Sequence, residues 1–355
     1  MSLVPSLTKL AAKEVVAAAA AAGDDIELEG MSDPIRPDKV VVYMGVDTTA
    51  SMEPVLFVAK KTAQSIVKKL QKLDMEVEFH IAAVNDYEPM NSDEQMPVKW
   101  DVDINTMKAE GGGDEAEAYS TFLSQACDKA MKTSNDHVRY VIMLGDAYAH
   151  GMPPVQGMLL QTPDSYPSGD PSGDTIPLCM QKLKSADVTF IHVMCGDNSK
   201  SHLWASANAK ATDGVVIPMD MTDMNKVPHV LSTYVASQTS MVLMCKRKQC
   251  EYEGKSEDEI TKIISEYMVE NNMRVCTLSE TIEHENTDDF LSSIQNINLG
   301  QSEHRGRDLF DSFRISSTQP RRAHSAGVVE DDSAMDSQPT VRRAVSMTMR
   351  MSQRY

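Results

Sequence analysis

The sequence predicts an α/β fold with a doubly wound, mostly parallel sheet and helices on both faces, Rossmann-like in its layering. Three observations predict it. Apolar, β-branched runs alternate with stretches of helical period, the pattern of parallel strands joined by crossover helices. The strongest runs are apolar at nearly every position, as strands buried on both faces are. These runs, or the loops after them, deliver polar residues where open α/β sheets bind ligands, outside the carboxyl ends of the strands.

The elements follow in order. Val40 to Val46 reads as the first strand. Pro54 suits the first turn of a helix, where its missing N–H costs little. Val55, Val58, Ala59, Thr62, Ile66, Val67 and Leu70 then carry a helical period to about Leu73. Glu76 to Val84 alternates as a strand and ends in Asn85-Asp86-Tyr87. Pro89 to Trp100 reads as a loop or a short edge strand. After Gly111-Gly112-Gly113-Asp114, a helix is expected from Glu115 to about Lys132. Val138 to Leu144 is a strongly apolar strand that stops at Gly145-Asp146. Helices over 176–184, 201–212 and 222–237 alternate with strands over 188–194 and 214–217. Beyond Cys245, Ser256 and Glu259 form a capping box. It precedes an acidic helix with a stripe of Ile260, Ile263, Ile264, Tyr267 and Met268. That helix either docks on the body or binds a partner, docking being the commoner outcome. Phe290, Leu291, Ile294 and Ile297 suit another short helix.

The 355 residues therefore divide into an N-terminal extension over 1–37, with a helix-forming alanine run, a main domain over 38–245, an acidic helical extension over 246–300, and an Arg/Ser-rich tail over 301–355 expected to be disordered. The formal net charge of -18 argues against nonspecific nucleic-acid binding, which needs basic surface. The charge is uneven. Residues 251–300 hold three basic residues and twelve acids, whereas residues 301–355 hold nine arginines and seven acids. Six cysteines, at 127, 179, 195, 245, 250 and 276, show no CxxC pair and no His/Cys ladder. Free thiols in a reducing compartment are the simplest account, so a cytoplasmic, intracellular protein is expected. No apolar run is long enough to span a bilayer. Lys13 and Glu14 abut the alanine run and disfavour a signal peptide.

The chemistry concentrates at the strand ends. Asp47, Thr49 and Ser51 alternate after the first strand and offer one carboxylate and two hydroxyls. Hard oxygen donors with few charges suit magnesium or calcium rather than zinc. The same hydroxyls would also serve as ordinary caps of the next helix. The glycine run before Asp114 lets backbone approach a ligand closely, and Asp114 by itself equally suits an N-cap. In the tail, Arg321-Arg322-Ala323-His324-Ser325 and Arg342-Arg343-Ala344-Val345-Ser346 both place Arg three residues before Ser. That is the spacing basophilic kinases favour, so Ser325 and Ser346 are candidate phosphorylation sites and a place for phospho-dependent adaptor binding.

Asp47-Thr48-Thr49-Ala50-Ser51, Gly112-Gly113-Asp114 and Gly145-Asp146, in that order, resemble the metal-ion-dependent adhesion site of von Willebrand factor type A domains. The family's first loop reads Asp-x-Ser/Thr-x-Ser, its second supplies a Thr and its third an Asp. Asp114 stands where the family usually has Thr. The run 111–117, Asp86-Tyr87 and Asp146-Ala147-Tyr148-Ala149-His150-Gly151 further resemble the subset of A domains found beside alpha-kinases. Asn85 there replaces Arg, and Tyr148 and Ala149 replace two prolines. The resemblance covers about residues 40–245. It implies a divalent ion, magnesium first with calcium or manganese as alternatives. Asp47 would anchor, Thr49 and Ser51 would ligate directly, Asp114 would add a carboxylate, and Asp146 would bind directly or through water. Asp86 and His150 would support the ligands from behind. Three carboxylates around one ion outweigh its charge, which favours tight resting binding and a weaker pull on a partner's carboxylate.

The expected function is a metal-dependent protein-binding module whose ion engages an acidic group on a protein partner, in an intracellular scaffold or regulatory protein. No complete catalytic constellation is evident, so no enzyme activity is expected. The alternative is phosphoryl transfer with Asp47 as nucleophile or metal ligand and His150 as acid/base. Against it, Thr49 replaces the second Asp of a phosphohydrolase Asp-x-Asp. A kinase like those relatives is disfavoured by the short polar stretch after Cys245.

Overall fold

The computed structural model describes residues 39–73, 75–87, 96–133, 137–152, 164–196, 198–219, 224–248, 254–270, 275–278, 284, 286–295, 328–331, 341–342, 344–345 and 348–349. The N-terminal extension and Ser325 and Ser346 lie outside them.

The strands are β1 (Lys39–Asp47), β2 (Glu76–Val84), β3 (Val98–Trp100), β4 (Ala116–Glu117), β5 (Val138–Gly145), β6 (Tyr148–Ala149), β7 (Thr189–Met194), β8 (Val215–Pro218), β9 (Val275–Leu278) and β10 (Val328–Asp331). The helices are α1 (Glu53–Gln71), α2 (Tyr119–Ala130), α3 (Ile176–Ala186), α4 (Ser199–Ala211), α5 (Val227–Lys248), α6 (Glu257–Glu270) and α7 (Thr287–Gln295). Six strands form the main sheet in the order β3-β2-β1-β5-β7-β8. All neighbours are parallel except the edge strand β3, which runs antiparallel to β2. This is the doubly wound order, and the chain reverses direction across the sheet between β1 and β5.

The two faces can be read along each central strand. Val40, Val42, Met44 and Val46 of β1, with Tyr140, Ile142 and Leu144 of β5, join one core with residues of α1, α5 and α6. The intervening Val41, Tyr43, Val141 and Met143 join a second core with α2, α3, α4 and Phe290 of α7. Successive side chains on a strand point to opposite faces, so a run that is apolar throughout requires cover on both. Helices on the two faces supply it.

Boundaries departed from expectation where a distant partner decides them. The helix expected from Glu115 begins at Tyr119, because Ala116 and Glu117 pair in parallel with Tyr148 and Ala149 as a two-residue ladder. The helix expected over 222–237 is α5, which runs on to Lys248. Past α5, the capping box forms as its sequence predicts. The Ser256 N–H donates to Glu259 Oε2 at 2.8 Å, and the Glu259 N–H to Ser256 Oγ at 3.3 Å. The stripe on α6 docks: Ile260, Ile264 and Met268 are buried in the first core. Two pieces of the tail are among the described residues. Val328–Asp331 pairs antiparallel with Val275–Leu278, and Val341, Ala344 and Val345 are buried in the same core as α6.

Cys127, Cys179, Cys195 and Cys245 are free and buried. No helix among the described residues is long and apolar enough to cross a membrane.

Docking of α6 predicts a stability cost. Ile264→Ala should lower the unfolding free energy by about 2–5 kcal/mol, read from urea denaturation. Phe57→Ala, at a position 60% exposed on α1, should change it by no more than about 0.5 kcal/mol. Equal, negligible effects would mean that α6 is not part of the folded core.

Candidate metal centre

The site is set by the sheet. Asp47 ends β1, and Asp146 follows the last residue of β5, on the two strands that flank the topological reversal. Ligands of doubly wound folds bind at that crevice.

Asp47 is fully buried. Its Oδ1 accepts the Thr49 N–H at 2.8 Å and the Thr49 hydroxyl at 2.6 Å, and its Oδ2 accepts the Tyr119 hydroxyl. Both carboxylate oxygens are thus occupied by donors, which holds Asp47 as an anchor. Thr49 does not cap the 3-10 turn that it precedes, and α1 likewise has no side-chain cap. The capping alternative for the Thr49 hydroxyl is therefore not what the chain uses. The hydroxyl gives its proton to Asp47 and lies 3.3 Å from the exposed Ser51 Oγ. Burial, then the nearby Asp146, push the Asp47 carboxyl up to about 6, against the stabilising hydrogen bonds of Thr49 and Tyr119.

Glu117 is the residue that sequence reasoning missed. It is 3% exposed and its Oε2 has no hydrogen-bond partner among the described residues. Burial raises its carboxyl most, followed by the charges of Asp47, Asp86, Asp146 and Asp114, together to about 11. The glycine loop brings it to Asp47. Gly112 has φ +84°, and a Cβ there would lie 3.3 Å from Thr49 Cβ and 3.6 Å from Glu117 Oε1. Glu110 N–H to Thr48 O, at 2.8 Å, and Ala50 N–H to Gly111 O, at 3.3 Å, tie this loop to the first one. The β4–β6 ladder then fixes Glu117 from the other side. Tyr148 and Ala149 keep the backbone N–H groups that prolines would lack, which suits them to pairing with β4.

Asp114 holds two backbone N–H groups. Its Oδ1 accepts the Ala116 N–H at 2.8 Å and its Oδ2 the Ser165 N–H at 2.7 Å. It staples the glycine loop to the loop before α3. Asp146 retains a free carboxylate among the described residues, while its backbone carbonyl accepts from Ser201 Oγ at 3.1 Å.

Asp114, His150 and Asp164 also offer one ligand atom each within 4.8 Å of one another. Their atoms are already committed. His150 Nε2 lies 2.9 Å from Asp86 Oδ1, and its Nδ1 2.9 Å from Asp164 Oδ1. Asp164 further accepts the N–H groups of Gly151 and Tyr166, each at 2.8 Å. Burial disfavours charge on His150, but the hydrogen bonds to Asp164 and Asp86, with the charges of Asp170 and Asp164, raise it to about 10. Burial likewise opposes the Asp164 charge, yet His150 and the two backbone donors hold its carboxyl below the usual value. Asp86 and His150 thus join the end of β2 to the loop after β6. One buried cation balances part of the acidity: Lys200, 3% exposed, donates to the Tyr148 hydroxyl at 3.3 Å and lies 4.7 Å from its ring centroid.

No protein-family model matches the sequence, and no curated protein matches it. Among solved structures, the pilus adhesin SpaC from Lactobacillus rhamnosus GG, in an open conformation, aligns with a TM-score of 0.40 and 13% identity over 58% of this chain and 30% of that one. The SpRpn10 VWA domain aligns with a TM-score of 0.32 and 12% identity over 53% of this chain and 94% of that one. The chain thus spans under a third of the adhesin's length, and at these scores neither neighbour assigns a role to any residue here.

The His150 clamp predicts a pH dependence. Its folded value lies above the unfolded 6.5, so its contribution is complete below pH 6.5 and is lost as the pH rises toward about 10. The contribution of Asp164 is lost instead as the pH falls below its unfolded 3.8. Urea denaturation in chelator should show the largest gap between wild type and His150→Gln near pH 5–6, narrowing toward pH 10. A gap that ignores pH would contradict the charged clamp.

Strand order and the loops at the β1/β5 reversal give the described residues a doubly wound α/β fold like that of von Willebrand factor type A domains.

Proposed function

We propose that this chain is a metal-dependent protein-binding module, in which one divalent cation sits among Asp47, Thr49, Ser51, Glu117 and Asp146 and completes its coordination with an acidic group of a protein partner. The observation that carries this reading is the buried, unpartnered Oε2 of Glu117 amid four aspartates. An uncompensated buried carboxylate is costly, and a divalent cation at this position would stabilise it in place of a proton. The donor set is all hard oxygen, which fits magnesium, calcium or manganese better than zinc. Glu117, rather than Asp114, supplies the carboxylate in the slot where the resembled family carries a neutral Thr.

Each residue has a separable task. Tyr119 and Thr49 fix Asp47, which anchors the loop. Thr49, with its proton given to Asp47, keeps oxygen lone pairs for the ion. Ser51 is exposed and lies on the side open to a partner. Three carboxylates outweigh a doubly charged ion, so the bound ion would attract a further carboxylate less strongly than one held by neutral ligands. This favours partners that add contacts outside the metal. A cavity of about 370 Å³ beside the site, lined by Thr48, Asn85, Asp86, Lys99, Lys108 and Met107 among others, offers room for such contacts.

Phosphoryl transfer has less support, because the His150 it requires as acid/base carries both ring nitrogens on carboxylates. The metal reading predicts that millimolar magnesium raises the thermal midpoint of wild type relative to chelator, since a ligand bound only by the folded state stabilises it. Glu117→Gln should lose most of that increment and Asp114→Asn much less. A pull-down with the full chain should lose its partner in chelator. Equal magnesium responses in wild type and Glu117→Gln, or chelator-insensitive capture, would contradict the proposal.

A further inference from the structure

Acids outnumber basic residues 52 to 34 along the chain, yet positive charge gathers on one stripe of α1. The helix holds Lys60, Lys61, Lys68 and Lys69, with Lys72 at its C-cap, against a single acid, Glu53, in its first turn. Phe57, Lys61, Lys68 and Lys72 follow one another at four, seven and four residues, which places them on one helical face. Between that face and the start of α5 lies a groove of about 410 Å³, lined by Lys61, Lys68, Lys69, Lys72, Asn225 and His229 among others, with no acid in the lining. The α5 sequence likewise contains no Asp or Glu. Lys69 is half-buried and donates to the Thr233 hydroxyl, which ties α1 to α5. The Lys61 ammonium lies 4.1 Å from the Phe57 ring centroid. Neither contact neutralises a charge. Lys68 and Lys72 are exposed and enter no ion pair among the described residues. Glu53 precedes Lys68 by fifteen residues. That is about 22 Å by the rise of an α-helix, well beyond the screening length of about 8 Å at physiological salt.

We propose that this groove binds a soluble, multiply phosphorylated anion of the class of inositol polyphosphates and short inorganic polyphosphates. Four lysines converging on a groove without acids carry the proposal. Lysines four residues apart on a helix repel one another, as Lys68 and Lys72 do, so an anion between them relieves repulsion as well as adding attraction. Each ammonium is a compact point charge with three donors, which suits phosphate oxygens spread over several groups. A carboxylate is matched instead by the planar fork of Arg, and no Arg lines the groove. The rest of the chain favours a free anion over a membrane headgroup. An anionic bilayer meets the repulsion of a molecule with a formal net charge of -18, whereas a small anion inside the groove feels chiefly the nearest lysines. Binding here requires no metal, so it is separable from the proposed cation site at the β1/β5 reversal.

The test is isothermal titration of the full chain with inositol hexakisphosphate and with inorganic tripolyphosphate, in EDTA so that no divalent ion bridges anion and protein. Saturable binding at one site is expected, weakening as salt is raised. Lys68→Gln combined with Lys72→Gln, both at exposed positions, should weaken it about tenfold. Lys184→Gln, an exposed position on α3 at the opposite face of the sheet, should leave it unchanged. Vesicles of phosphatidylcholine with phosphatidylinositol bisphosphate should recover no protein on flotation. Absence of binding by both anions, binding that ignores the Lys68 and Lys72 substitutions, or equal weakening by Lys184→Gln would overturn the proposal. Recovery of the protein on the vesicles would overturn its assignment to a free anion.

Discussion

Negative charge is concentrated where the sheet reverses, and the surrounding structure is arranged to hold it there. Asp47 is fully buried at the end of a strand with neighbours on both sides, and it cannot move without moving β1. Tyr119 from the first turn of α2 and Thr49 from the following loop satisfy its oxygens. Gly145 is required behind it: a Cβ there would lie 2.0 Å from the Tyr119 hydroxyl. One buried carboxylate thus fixes the start of α2, the absence of a side chain at the end of β5, and the approach of the glycine loop.

The acidic groups around it divide into two sets by how their charge is met. Asp86, Asp164 and Asp114 are answered within the protein, by His150 and by backbone N–H groups. Asp47, Glu117 and Asp146 form the set with a shortfall, since Glu117 Oε2 and the Asp146 carboxylate have no partner among the described residues. The first set is a frame and the second faces the crevice. Proximity alone groups Asp114, His150 and Asp164, whereas the hydrogen bonds leave the unmet polar atoms in the other set.

The fold was legible because its strands are marked at every residue. Val41 and Val42 both had to be covered, so two helical layers followed. The positions of the first and third loops were legible because Asp47 ends β1 and Asp146 directly follows β5. Glu117 was not, because its burial comes from pairing with Tyr148 and Ala149, a contact made far along the chain. Read locally, it was one acidic residue in an expected helix. The mismatch that could have drawn notice is Tyr148-Ala149, a pair free to join a ladder where the resembled motif has two prolines. In the tail, average composition predicts disorder, while Val341, Ala344 and Val345, among its described residues, are buried in the first core.

The most direct test of the site is anomalous diffraction from crystals grown with manganese. The account predicts one strong peak within coordination distance of Glu117 and the Thr49 and Ser51 hydroxyls, near Asp146. A peak among Asp114, His150 and Asp164, or no peak near Glu117, would contradict it.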